Sequence, residues 1–466
     1  MRRFIGDKAF YKSVLTLLIP IVIQQFISSF VSLLDNMMVS GLGKESITAA
    51  AVANQVMMVF NLAVFGGLSG ISIFGAQFYG KGDMAGMRNT FRAKIFFTVV
   101  CSATAIAIYL LCGQSFISSF LRGESNGGDP EKALREGVGY LQIMLFGLLP
   151  FALTQTYAGT LRESGETVAP MKAGIAALLT NLFLNWILIN GVHVGDTLVV
   201  PRLEVMGAAI ATVISRFVEL AIVVIHAHRH EDRYPFLAGA YKGFRIPGAL
   251  AKRIIPTAMP LLINEVLWSL GMTFINNFYS SRGMNALAAL QITGTVWNLF
   301  CVIMFAMGSA VSIMVGQRLG AGKMEEARDV DRKLIFLTEA IHVAIGLIMI
   351  LASPVVPKLF PVDDEQVENL VRQLLVIAGL SLPLHSFAHV TYFTIRSGGR
   401  TVITFLFDAV YTWAVTVALA FVLTTYTDWD IIRIYFCVQF IDVIKLVIGL
   451  LMLRSDFWAQ NVVNET

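Results

Sequence analysis

The sequence predicts an all-α polytopic membrane protein with twelve transmembrane helices in two pseudo-symmetric six-helix lobes. Three observations carry this. Only 14% of the 466 residues are charged and 56% are hydrophobic, with a mean hydropathy of +0.70. An ordinary soluble domain carries about 25% charged residues, so soluble globular, disordered and fibrous chains are excluded. The apolar residues gather in runs long enough to cross a bilayer. Finally, the chain matches itself when its second half is laid on its first.

The runs follow in order. The first, 14–38, comes after a basic amphipathic start, Met1 to Lys12. It is too long for a signal peptide and no small-residue cleavage site follows, so it reads as a retained helix. Segments 48–76, 94–118, 135–160, 169–190 and 206–227 complete the first six. After a basic connection come 252–279, 285–313, 334–352, 368–394, 402–424 and 431–453. Lipid offers backbone groups no partner, and no alternating ten-residue pattern is present, so these segments are helices rather than barrel strands.

Lys and Arg set the orientation. The N-terminal segment, the even-numbered connections and Arg454 hold 24 of the 35, and the odd-numbered connections hold 9. The positive-inside rule then places both termini in the cytoplasm. The stretch from His226 to Lys252, with Arg229, Arg233, Lys242 and Arg245, reads as a cytoplasmic linker. The expected domains are 1–228, a linker 229–251, and 252–466. His226, His228 and His230 read as solvated linker histidines rather than a metal tract. Cys101, Cys112, Cys301 and Cys437 lie in apolar stretches without a CxxC, as buried reduced thiols do. A net charge of +4 is too small to point to nucleic acid.

The internal match is ungapped over the first two spans of each half. Pro20, Ser29, Asn36, Gly43, Phe60 and Phe65 meet Pro260, Ser269, Asn276, Gly283, Phe300 and Phe305. Gln77, Gly80 and Arg88 meet Gln317, Gly320 and Arg328, and RESGET (Arg162 to Thr167) echoes RSGGRT (Arg396 to Thr401). Six spans per half make the repeat parallel, which predicts two bundles about an axis along the membrane normal with a cleft between them.

These residues also carry a family resemblance. GLSGISIFGAQFYGKGD (Gly67 to Asp83) with its C-terminal copy, LLDNMMVSGLG around Asp35, NLFLN from Asn181 to Asn185, GAAIAT from Gly207 to Thr212 and the stretch from Lys445 to Arg454 resemble multidrug and toxic compound extrusion (MATE) transporters of bacterial type. The resemblance covers essentially the whole chain. It implies a secondary efflux transporter of the bacterial cell membrane that exchanges H⁺ or Na⁺ for lipophilic, cationic compounds. No cofactor other than the coupling ion is implied, and the expected state is a monomer in the lipid bilayer.

Polar residues inside the spans are the candidate machinery, because an ionisable group at mid-membrane costs about 2.5–3.5 kcal/mol on insertion scales. Gln25, Ser28, Ser32 and Asp35 share one face of the first helix, and Asn181 and Asn185 share one face of the fifth. Thr212 adds a hydroxyl from the sixth. A carboxylate beside amide and hydroxyl oxygens either cycles a proton or ligates Na⁺. The bland alternative is an Asp35 that is solvated or capping near its helix end. The resemblance assigns Asp35 and Asn181 to cation coupling, including a possible Na⁺ site, with Asn185 standing where relatives often carry aspartate; Thr212 joins that set.

Substrate contacts are expected from Gln25, Ser32 and Asn54 in the first half. From the second half they are expected from Glu265, with Trp268 and Met272 on its face, and from His385 and Tyr411. His385 reads either as a proton relay or as a hydrogen-bonded core histidine. Asp442 and Lys445 at i, i+3 read as an intrahelical ion pair, and Arg216 and Glu219 likewise. Glu339 and His342 match only half of a di-iron signature, which excludes that site. A lipid-linked saccharide flippase, the rival reading, needs several Arg in its cleft, yet the span interiors offer only Arg216 and Lys445. No nucleophile–base pair, HExxH or paired-Asp motif supports an enzyme.

Overall fold

The computed structural model describes residues 4–40, 42, 44–121, 129–194, 197–243, 245–360 and 364–464. The side chains of 32–37, 39, 40, 44, 120, 130, 193, 194, 197–199 and 456 are outside the description. Among the described residues, eleven helices are long and apolar enough to cross a membrane, and one bent pair makes a twelfth span. The chain forms two compact units. One comprises Ile19–Gly75 with Met84–Ala251; the other comprises Met1–Leu18, Ala76–Asp83 and Lys252–Thr466.

The first unit holds most of α1 (Lys8–Ser40) and α2 (Lys44–Lys81), then α3 (Met84–Leu121), α4 (Pro130–Leu145), α5 (Leu148–Glu163), α6 (Val168–Asn190) and α7 (Glu204–Arg229). A short antiparallel hairpin, β1 (Val192–Val194) and β2 (Thr197–Val200), joins α6 to α7 in the otherwise helical fold. The fourth span is α4 and α5 together, bent by 45°. Pro150 has no N–H to give the carbonyl four residues earlier, so the ladder breaks at Phe146 and Gly147. There the chain tightens, with Phe146 N donating to Ile143 O (3.2 Å) and Gly147 N to Met144 O (2.9 Å). Val56, Phe60, Leu145, Leu148 and Ala209 lie in the buried core of this unit. The Tyr109 hydroxyl enters it to bond the Val56 carbonyl at 2.8 Å.

The linker after α7 is strapped onto the start of α3. Arg92 donates to the carbonyls of Ala240 (2.7 Å), Gly239 (2.8 Å) and Lys242 (2.8 Å), and Arg88 to those of Phe236 (3.3 Å) and Pro235 (3.2 Å). Tyr234 and Phe236 are buried beneath. The linker histidines are therefore more engaged than their polar setting suggested. His228 lies 3.2 Å from the Tyr157 hydroxyl, and the rings of His226 and His230 sit 4.5 Å apart. No cluster of three metal-ligating side chains is present among the described residues. Cys101, Cys112, Cys301 and Cys437 are free thiols, but only Cys301 is buried, and Cys112 is exposed on α3. An exposed position on a membrane helix meets lipid, which suits a small apolar thiol as well as a core does.

The second unit contains α8 (Gly248–Ser280), α9 (Met284–Gly320), α10 (Met324–Ala352), α11 (Glu365–Ser397) and the spans Thr401–Tyr426 and Ile431–Arg454. Val371, Leu374, Leu375, Ala420 and Ile434 are among its wholly buried core residues. Glycines permit close helix contact, as is usual in membranes. A Cβ on Gly346 would strike the Gly379 carbonyl. The C-terminal end of α2 belongs here: a Cβ on Gly80 would fall on the carbonyl of Gln317, and one on Gly320 on that of Gln77. The repeat had already paired these four residues. Gly80→Ala is expected to destabilise the protein by about 1–3 kcal/mol. Gly159→Ala, at a position with open space around it, serves as the control in the same thermal unfolding of purified protein.

The segment after the last span closes the same end. Gln77 donates to the carbonyls of Ser397 (2.9 Å) and Gln460 (3.1 Å) and accepts from Val462 N (2.8 Å). Lys81 bonds the Val463 carbonyl, Asn461 the Gly320 carbonyl, and Trp458 is 2% exposed.

Candidate functional site

In the first unit, α6 lies along α7. Asn185 Nδ2 donates to Asn181 Oδ1 (3.1 Å), Asn181 Nδ2 donates to Thr212 Oγ1 (3.3 Å), and Thr212 donates to the Ala208 carbonyl (2.9 Å). Asn181 and Asn185 are 1% and 0% exposed. The i, i+4 spacing placed the two amides on one face, and the packing of α7 supplies the hydroxyl. The structure thus brings Asn181, Asn185 and Thr212 together. The Ser32 and Asp35 side chains lie outside the described residues. Gln25 is half-buried and Asn54 exposed, apart from this chain of bonds.

The buried amide on α1 is instead Gln24, which accepts from Arg162 Nη2 at 2.6 Å. Glu219 faces Arg162 as well as Arg216. Arg216 reaches the Gly147 carbonyl at the bend (3.2 Å) and lies over the Phe151 ring, so the Arg216/Glu219 spacing does not describe a self-contained pair. Nearby, Lys94 and Glu163 form a buried ion pair, with Lys94 also 3.3 Å from Thr160 Oγ1. Sequence reasoning missed this pair because Lys94 stands at a span boundary.

The second unit holds a denser cluster. Asn264 Nδ2 donates to Asp408 Oδ2 (3.0 Å), Lys445 Nζ to Asp408 Oδ1 (3.1 Å), and the Tyr392 hydroxyl to Glu265 Oε1 (3.1 Å). Asp408 sits in a widened π-helical stretch, Leu406–Val410, followed by another at Thr412–Val417. Such stretches leave backbone groups to be satisfied from outside and often mark functional sites. Here Ala409 N donates to Asn264 Oδ1 (3.1 Å). Tyr411 is buried, its hydroxyl on the Ile441 carbonyl (2.8 Å).

Asp442 and Lys445 are not the intrahelical pair that their spacing suggested. The twelfth span breaks into Ile431–Phe440 and Val443–Arg454, and Asp442 falls in the break. Its carboxylate lies 3.7 Å from His385 Nε2, while Lys445 turns to Asp408. His385 is half-buried with Nδ1 3.0 Å from the Ser381 carbonyl. Trp268 and Met272 are 36% and 39% exposed. Glu339 accepts from Ser386 (2.8 Å) and His342 bonds the Thr338 carbonyl (2.7 Å), each in its own local setting.

Glu265 faces both Asp408 and Arg396, while Lys445 pairs with Asp408 and Asp442 with His385. The repeat relates the two clusters. Gln24 and Gln25 align with Asn264 and Glu265, and Arg162 with Arg396. Laying 204–230 on 430–456 puts Arg216 and Glu219 on Asp442 and Lys445 with their signs exchanged.

The MatE family model matches residues 20–187 and again 260–422. The chain is 25% identical over 428 residues to the probable multidrug resistance protein YoeA of Bacillus subtilis (strain 168), covering 91% of this chain and 89% of that one. It is 22% identical over 453 residues to the probable multidrug resistance protein NorM of Thermotoga maritima, covering 97% and 94%. Among solved structures, a MATE protein in complex with MaD3S superposes with a TM-score of 0.84 at 22% identity, over 97% of each chain. An outward-facing multidrug resistance MATE family transporter of the MOP superfamily superposes equally well, at 21% identity over 97% and 96%.

Proposed function

The chain belongs to the MatE family, and from that premise we propose that it is a secondary active exporter exchanging inward H⁺ or Na⁺ for an outward-moving lipophilic organic cation. The multidrug resistance names carried by YoeA and NorM support the substrate class. The observation that carries the ion-coupling reading is the hydrogen-bonded Asn185–Asn181–Thr212 chain on α6 and α7, with both amides buried. Two amides withdrawn into an apolar bundle beside a half-buried hydroxyl are costly to place there, and their oxygens are the donor type a hard cation takes.

In this reading the polar chain is pre-organised by its own hydrogen bonds, and Asp35 supplies the negative charge that makes ion binding favourable. Ion binding biases one of two conformations, and the drug biases the other; alternating access follows from that differential affinity. Glu265, Tyr411, His385, Trp268 and Met272 in the second unit, with Gln25, Ser32 and Asn54 in the first, are the proposed drug contacts. The membrane potential supplies about 2.3 kcal/mol per charge per 100 mV, and each 1.4 kcal/mol sustains about a tenfold gradient. The setting is a bacterial plasma membrane with both termini in the cytoplasm.

The test is dye efflux from proteoliposomes with H⁺ and Na⁺ gradients imposed separately. One of the two gradients should drive efflux in the wild type, and Asp35→Asn should abolish that dependence. Unchanged gradient-driven efflux by the variant rejects the ion assignment.

A further inference from the structure

Lys445 lies inside the apolar span Ile431–Arg454 and is 6% exposed. Its ammonium meets the Asp408 carboxylate at 3.1 Å and sits 5.0 Å from the ring centre of Tyr411 and 6.0 Å from that of Phe407. A carboxylate flanked by aromatic faces is the chemistry that recognises organic ammonium ions. Apart from the lysine, the polar walls are held by bonds of their own. Asn264 fixes the second oxygen of Asp408, the Ile441 carbonyl fixes the Tyr411 hydroxyl, and Phe407 is packed in the core. The lysine reaches in on a flexible four-carbon stem from the neighbouring span, and Asp408 keeps 21% of its side chain exposed.

We propose that Asp408, Tyr411 and Phe407 form an organic-ammonium subsite, and that Lys445 fills it with its own ammonium whenever no substrate is bound. This rests on reading the chain as an exporter of organic cations. A cation site in lipid faces a difficulty on its empty return journey, because its carboxylate is then left buried and uncompensated. A tethered ammonium removes that difficulty. Substrate entry becomes an exchange of one ammonium for another with no change in the charge of the site. Glu265 and His389 face Asp408, and Asp442 faces Tyr411; Arg396, the cluster's other fixed cation, lies over the Phe393 ring at 4.3 Å, and Lys445 is the cation that pairs with Asp408.

The experiment is calorimetric titration of tetraethylammonium into the purified full chain in detergent, without any ion gradient. A tethered competitor present at high effective concentration weakens apparent affinity, so Lys445→Met should bind about tenfold more tightly than wild type. Lys445→Arg, which keeps the charge, should bind as wild type does. Adding Asp408→Asn to Lys445→Met should erase the gain.

A Lys445→Met protein that binds no better than wild type overturns the proposal, as does a gain that survives Asp408→Asn. A measurement on the wild type needs no variant to fold: saturating tetraethylammonium should increase reductive methylation of Lys445, read by mass spectrometry. Unchanged labelling overturns the proposal equally. Because binding needs no gradient, a chain that exports dye yet shows neither effect keeps the transport reading and loses this one.

Discussion

Lys94→Met is expected to destabilise the first unit by about 3–5 kcal/mol, because it takes the cation from a buried ion pair and leaves the acid behind. Lys94 is 1% exposed and Glu163 4%. The surroundings cannot relax easily: a Cβ on Gly75 would already collide with the Glu163 carboxylate. The double variant Lys94→Met/Glu163→Leu should recover most of the loss, since replacing a whole buried pair with apolar side chains is often neutral or stabilising by about 1–4 kcal/mol. Thermal unfolding of the two single variants and the double one measures the coupling directly. Single losses that simply add would show that the pair is not a unit.

Asn264→Ala should produce the next largest effect, about 2–5 kcal/mol, combining a lost bond to a charged acceptor with an orphaned buried N–H. Asn264 is 1% exposed and serves Asp408 and Ala409 N at once. The loss should be local: hydrogen exchange at Ala409 should quicken while amides of the first unit are unaffected. Uniform quickening across both units would contradict the bridging role.

The spans were legible because lipid imposes one demand on every helix, a run of apolar residues about twenty long. Helix ends were less so. α2 and α9 run on to Lys81 and Gly320, past the apolar windows ending at 76 and 313, because helical bonding persists where the environment has already become polar. The bend in the fourth span had its signals in Gly147 and Pro150, although hydropathy alone passes over them.

At the candidate site, relations along one helix were readable and relations between helices were not. Asn181 and Asn185 share a face by spacing, and the hydrogen bond between them follows. The Asp442/Lys445 inference failed because spacing arguments assume an unbroken helix, whereas Asp442 occupies a break. The true partner, Asp408, lies 37 residues away on another span. Asn264 went unnoticed beside Glu265, although its alignment with the buried Gln24 was available from the repeat.

The clasp around Gln77 bears on how the chain is made. Gln77 takes its partners from positions 320, 383 and 385 residues further along. At about 5–20 residues per second of synthesis, Val462 follows Gln77 out of the ribosome after roughly 20–80 s. Throughout that interval the end of α2 is already inserted and its side-chain amide lacks these three bonds. The second unit therefore cannot mature from the nascent chain step by step, because its closing contacts join some of the earliest residues made to some of the latest.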